Sequence, residues 1–198
     1  MSGATNRAKA MRASVTRAAE GFDRRSFTVA EILRMQEVGV IAEDENFELI
    51  DGELVPMQAK THVHELIKSA LTIGLARTLP DRLWLGVEST IYLTDNTFVE
   101  PDLVVYPRGL KLETVKGSDI VLAIEVALTS LAYDRGLKAG LNARHGVKEL
   151  WVIDAERRRA FAHAGPAGET WANVTERGPD EALSCAALPG FSVRLATI

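Results

Sequence analysis

A chain of 198 residues, 46% hydrophobic and 25% charged, has the composition of a soluble globular protein with one sizeable core. No apolar run approaches the ~20 residues of a membrane span, and the N-terminus lacks the apolar stretch of a signal peptide. The lone cysteine, Cys185, excludes a disulfide within the chain and any cysteine-rich metal cluster, which points to a reducing, cytoplasmic setting.

The net charge of −4 is unevenly placed. Residues 1–25 hold six basic groups (Arg7, Lys9, Arg12, Arg17, Arg24, Arg25) against Glu20 and Asp23, so this segment carries +4 and the remainder −8. Residues 1–25 read as a basic, flexible tail able to touch phosphates, and residues 26–198 as a single domain. An acidic body weighs against broad electrostatic binding of nucleic acid and suits carboxylates that hold cations.

In chain order, 27–38 has helical spacing, with Ser26 or Thr28 to cap it and Gly39 to end it. FELIDGELVPM, residues 47–57, places Asp51-Gly52 between two apolar runs and predicts a hairpin, because that pair tolerates the positive φ of a two-residue turn. A helix is expected over 61–79, with Leu66, Ile67, Ala70, Leu71 and Leu75 as its apolar stripe and Pro80 as its stop. Three strands should follow at 84–93, 98–106 and 120–128. The last, IVLAIEVAL, reads as a central strand covered on both faces. A helix over 132–145, closed by Gly146, leads to a hairpin of 148–154 and 157–162, then to short strands near Trp171 and Phe191. This order predicts an α/β (α+β) fold with a central mixed β-sheet flanked by helices.

Glu125 is the most unusual residue, a carboxylate within nine otherwise apolar residues. Burying it unpaired would cost several kcal/mol, so it must be protonated, paired or bound to a cation, unless it sits at a wet strand end. Asp102 follows Pro101, which cannot donate to a β ladder and so marks a strand start, an edge or a bulge. Carboxylates on adjacent strands can share Mg²⁺, a hard cation that takes oxygen ligands. Lys138 lies four residues after Asp134, the spacing of an ordinary surface pair. Its helix begins directly after the Glu125 strand, however, so the lysine can also return toward that strand and offset charge on a phosphoryl group. Glu48 is either a further acid of the site or the polar side of an alternating strand. His62 and His64 have no third histidine beside them for a zinc site, and read as surface groups or as supports behind the metal ligands. There is no glycine-rich phosphate loop, GxSxG elbow or Cys/His nucleophile arrangement.

FTVAEILRM, FELIDGELV, EPDLVVYP, IEVALTS, DRGLK (134–138) and GVKELWVID occur in that order between residues 27 and 154, and LPGFSVRLA lies near the end. Together they resemble the Uma-type family of restriction-endonuclease-like proteins, a branch of the PD-(D/E)XK nuclease superfamily. The resemblance implies a restriction-endonuclease-like core and Mg²⁺-dependent endonucleolytic cleavage of DNA, with Mn²⁺ able to substitute. It implies an acidic cluster of Glu48, Asp102 and Glu125. The site expected on that basis has Asp102, Glu125 and Lys138 as catalytic residues, the Val126 backbone carbonyl as a further metal ligand, and His62, His64 and Asp134 as candidate supports around them. The superfamily's usual lysine position, two residues after the second acid, is Ala127 here, and Lys138 matches a lysine moved to the next helix. Glu100, Leu128, Thr129 and Asn142 stand where the family favours Arg, Ser, Pro and Tyr. A homodimer is expected, since cutting both strands of a duplex needs two sites. The alternative is a non-catalytic protein of the same fold that binds nucleic acid or a partner protein.

Overall fold

The computed structural model describes residues 15–17, 23–42, 44–57 and 60–198. Apart from 15–17 and 23–25, the basic N-terminal segment lies outside the described residues. The chain divides into two compact units, Met1–Met57 with Tyr92–Val99, and Gln58–Ile91 with Glu100–Ile198.

In the first unit, β1 (Val15–Arg17) pairs antiparallel with β2 (Asp23–Arg25). Helix α1 (Val29–Glu37) starts at Thr28, one of the two caps the sequence offers, and does so in a capping box: Thr28 Oγ1 accepts the Glu31 N–H (3.2 Å) and Glu31 Oε2 accepts the Thr28 N–H (2.9 Å). Gly39, at φ 73°, follows its end. The expected hairpin is present as β3 (Phe47–Ile50) and β4 (Glu53–Pro56), joined through Asp51 at φ 50° and Gly52 at φ 86°. A side chain at position 52 would also collide with Ser26 and the Phe27 backbone, so glycine is required there for space as well as for φ. With β6 (Ile91–Thr94) and β7 (Thr97–Val99) these strands form a four-stranded sheet in the order β4-β3-β7-β6. Its core gathers Ile32, Ile41, Phe47 and Leu49, with Phe98 packed against them.

The second unit is built on a six-stranded sheet in the order β12-β11-β10-β9-β8-β5. Its strands are β5 (Leu83–Val87), β8 (Leu103–Pro107), β9 (Leu122–Ala127), β10 (Glu149–Asp154), β11 (Arg159–Ala167) and β12 (Thr170–Arg177). Only β9 and β10 run parallel, because the helix over 131–144 (α3) carries the chain across between them. All six residues of β9 are buried, as its apolar run predicts. Helix α2 (His62–Thr78), capped by Thr61, supplies Ile67, Leu71 and Leu75 to a core shared with Leu103, Val105, Leu122, Ile124, Val126, Trp151 and Ile153. The C-terminal pair β13 (Leu183–Ser184) and β14 (Ser192–Val193) accompanies Cys185, Leu188, Phe191 and Leu195 in the same core.

Three expectations are corrected. The strand expected over 84–93 is two strands, β5 and β6, separated at Glu88, whose φ of 47° breaks the extended path. The strand over 98–106 divides into β7 and β8 around Pro101, which has no N–H to donate. The segment near Trp171 is no short strand but the eight-residue β12, and Gly165-Pro166 stays inside β11.

Candidate active site

Alternation along β9 sets the first half of the site. Leu122, Ile124 and Val126 join the core with α2, so Glu125, between them, points to the opposite face of the sheet. There Lys138 of α3 brings its ammonium to 2.8 Å from Glu125 Oε1, and both side chains are below 10% exposed. The local helix geometry favours this reach. Residues 134–138 form one π-helical turn in which the Ala139 N–H donates to the Asp134 carbonyl, five residues back. The wider turn changes the face on which Lys138 emerges. Asp134, buried at its start, accepts the Ser130 hydroxyl, and Asn142 Nδ2 donates to the Lys138 carbonyl (2.9 Å).

The second half is set by a strand that starts late. The β8–β9 ladder ends at Leu103 opposite Ile124. One step further Asp102 would face Glu125, but here the side chain completes the pairing: Asp102 Oδ2 accepts the Val126 N–H at 2.7 Å. The Asp102 carboxylate therefore lies against the Glu125–Val126 peptide. Its other oxygen, Oδ1, accepts from His64 Nε2 at 3.0 Å, from the first turn of α2. His64 Nδ1 lies 3.2 Å from Glu65 Oε1, so carboxylate oxygens face both ring nitrogens. Only the imidazolium donates on both sides, and the hydrogen bond to Asp102 is the main reason the His64 pKa is raised.

Of the other predicted residues, Glu48 is buried on β3 of the first unit, at 3% exposure. His62, the first residue of α2, is exposed. Sequence reasoning missed a group of charges beside His64. Lys68, 7% exposed, donates to Glu65 Oε1 (2.8 Å) and to Glu88 Oε1, which also pairs with Lys60 at 2.7 Å. A signal was present. The buried stripe of α2 is His64, Ile67, Lys68, Leu71 and Leu75, so two polar residues stand on it, whereas Leu66, expected on the stripe, is 51% exposed. Burial alone would lower the Lys68 pKa, but the hydrogen bonds and charges of Glu65 and Glu88 outweigh it and raise the value.

Among the described residues, no group of three or more His, Cys, Asp or Glu is arranged to hold a metal ion. Magnesium commonly takes one or two carboxylates and completes its shell with water and substrate phosphates. Asp102 beside the Glu125–Val126 peptide offers oxygen donors of that kind, so the residues present fit a hard divalent cation.

A mixed sheet with a parallel central pair, carrying two buried carboxylates and a lysine at neighbouring positions, defines a restriction-endonuclease-like fold. The chain belongs to the Uma2 family, described as "Putative restriction endonuclease", whose family model matches residues 29–197. Among solved structures it is similar to a protein described as a putative nuclease belonging to DUF820, from Anabaena variabilis ATCC 29413. That likeness has a TM-score of 0.68 at 16% identity, over 86% of this chain and 96% of the other. No curated protein matches. No helix among the described residues is long and apolar enough to cross a membrane.

Proposed function

We propose that this chain is a divalent-metal-dependent endonuclease that hydrolyses DNA phosphodiester bonds, with Asp102, Glu125 and Lys138 at its centre. The observation that carries this reading is the buried Lys138 ammonium 2.8 Å from Glu125 Oε1, on the strand whose next N–H holds Asp102. Asp102, Glu125 and the Val126 carbonyl would hold Mg²⁺ or Mn²⁺. When bound, such an ion polarises the scissile phosphate and supplies a nucleophilic water. Lys138 places a positive charge where the phosphoryl oxygens gain negative charge, and α3 holds it there through Asn142. His64 keeps the Asp102 carboxylate oriented, and Asp134 ties the start of the π turn to Ser130. A homodimer would bring two such sites to one duplex.

Calorimetric titration with Mn²⁺ tests the metal assignment directly. Wild-type protein should bind the ion and Asp102→Asn should lose at least ~10-fold in affinity, since one of two carboxylates is gone. Equal binding by both proteins contradicts the assignment. Binding of DNA without metal-dependent turnover would favour the non-catalytic alternative.

A further inference from the structure

Glu65, Lys68 and Glu88, which the nuclease reading leaves unused, form with His64 a closed circuit around Asp102. Its carboxylate meets His64 (3.0 Å), His64 meets Glu65 (3.2 Å), Glu65 meets Lys68 (2.8 Å), and Lys68 meets Glu88. The circuit closes through the backbone, where the Glu88 N–H donates to the Asp102 carbonyl at 3.0 Å. One aspartate is thus held at both its side chain and its main chain by residues of α2 and the corner after β5.

The corner itself is costly to build. Glu88 adopts φ 47°, a strained region that residues with a Cβ rarely occupy. Gly86, two residues earlier, has no room for a Cβ against Ser89 and Val104. Lys68 is kept on the buried stripe of α2 although a lysine there must be desolvated. Lys60, by contrast, is 35% exposed at its side chain, and it reaches Glu88 at 2.7 Å.

We propose that Glu88 and Lys68 are positioning residues for Asp102, holding the carboxylate and its backbone in one orientation for the reaction. The proposal rests on the nuclease reading. Lys68 orders Glu65, and through it the His64 ring, from one side. Glu88 anchors Lys68 and fixes the Asp102 carbonyl from the other. Neither residue needs to touch substrate.

The test compares Lys68→Met, Glu88→Gly and the double variant with wild type in plasmid-nicking kinetics, and follows the His64 ring nitrogens by NMR. Each single variant should lower kcat by ~10–100-fold, as loss of an outer partner of a ligand does, while KM for DNA stays within about twofold. The double variant should be no worse than the poorer single, because both break one circuit. Glu88→Gly suits the positive φ and should melt within a few degrees of wild type, so it carries the test if Lys68→Met does not fold. Both variants should shift the His64 ring signals. Wild-type kcat in both singles, or losses that multiply in the double, would overturn the positioning role. Wild-type protein that never nicks DNA overturns the nuclease reading instead. The ring signals then decide the circuit alone, and unchanged signals in both variants refute it.

Discussion

Neutralising Glu125 would strand a charge, because the Lys138 ammonium lies 2.8 Å from its carboxylate and both side chains are below 10% exposed. Glu125→Gln should therefore lose about 3–5 kcal/mol in chemical denaturation, and Lys138→Met a similar amount. The double variant Glu125→Gln/Lys138→Met should recover much of that loss, since no unpaired charge remains. Additive losses would mean the two groups do not share one interaction. The sequence showed that Glu125 needed a partner, because it stood alone in IVLAIEVAL. It did not show which, because the (i, i+4) spacing from Asp134 assumes an α-helix and the chain makes a π turn there. Lys68 was missed for a related reason: the expected stripe of α2 had Ile67, Leu71 and Leu75 right but took Leu66 on one flank where the helix buries Lys68 on the other.

Elements with local determinants were legible. The α1 cap, the Asp51-Gly52 hairpin and the apolar β9 strand depend on residues within a few positions of one another. Gly52→Ala should accordingly cost roughly 1–3 kcal/mol in thermal denaturation, from the positive φ and the collision with Ser26 together. An Ala variant as stable as wild type would contradict this account of the turn. Elements that end at one strained or donor-less residue were not legible, which is why β5–β6 and β7–β8 merged into long strands in the sequence reading. The β10–β11 connection offers a pH test. Burial would raise the Asp154 pKa, but the Arg157 N–H, the Arg159 guanidinium and both arginine charges outweigh it and lower the value. A lowered carboxyl pKa stabilises the fold above the unfolded value of about 3.9, and the contribution is lost as pH falls through the folded pKa. The melting difference between wild type and Asp154→Asn should thus be full at neutral pH and vanish in strong acid. A difference independent of pH would mean the carboxylate charge is irrelevant there.

At the scale of the whole molecule, a net charge of −4 leaves little general attraction for a polyanion, so under the proposed nuclease reading metal ions and a few lysines would supply the contact with DNA. The chain belongs to a family described as "Putative restriction endonuclease", and the site adds two buried carboxylates with a lysine at contact distance from one of them. The most direct measurement is nicking of supercoiled plasmid by wild type and Asp102→Asn, each with Mg²⁺, with Mn²⁺ and with EDTA. Wild type should nick with either metal and stop in EDTA, and Asp102→Asn should be slower by ~100-fold or more, comparable to losing other transition-state contacts. Nicking that persists in EDTA, an undiminished rate in Asp102→Asn, or no nicking by wild type with either metal would contradict the account.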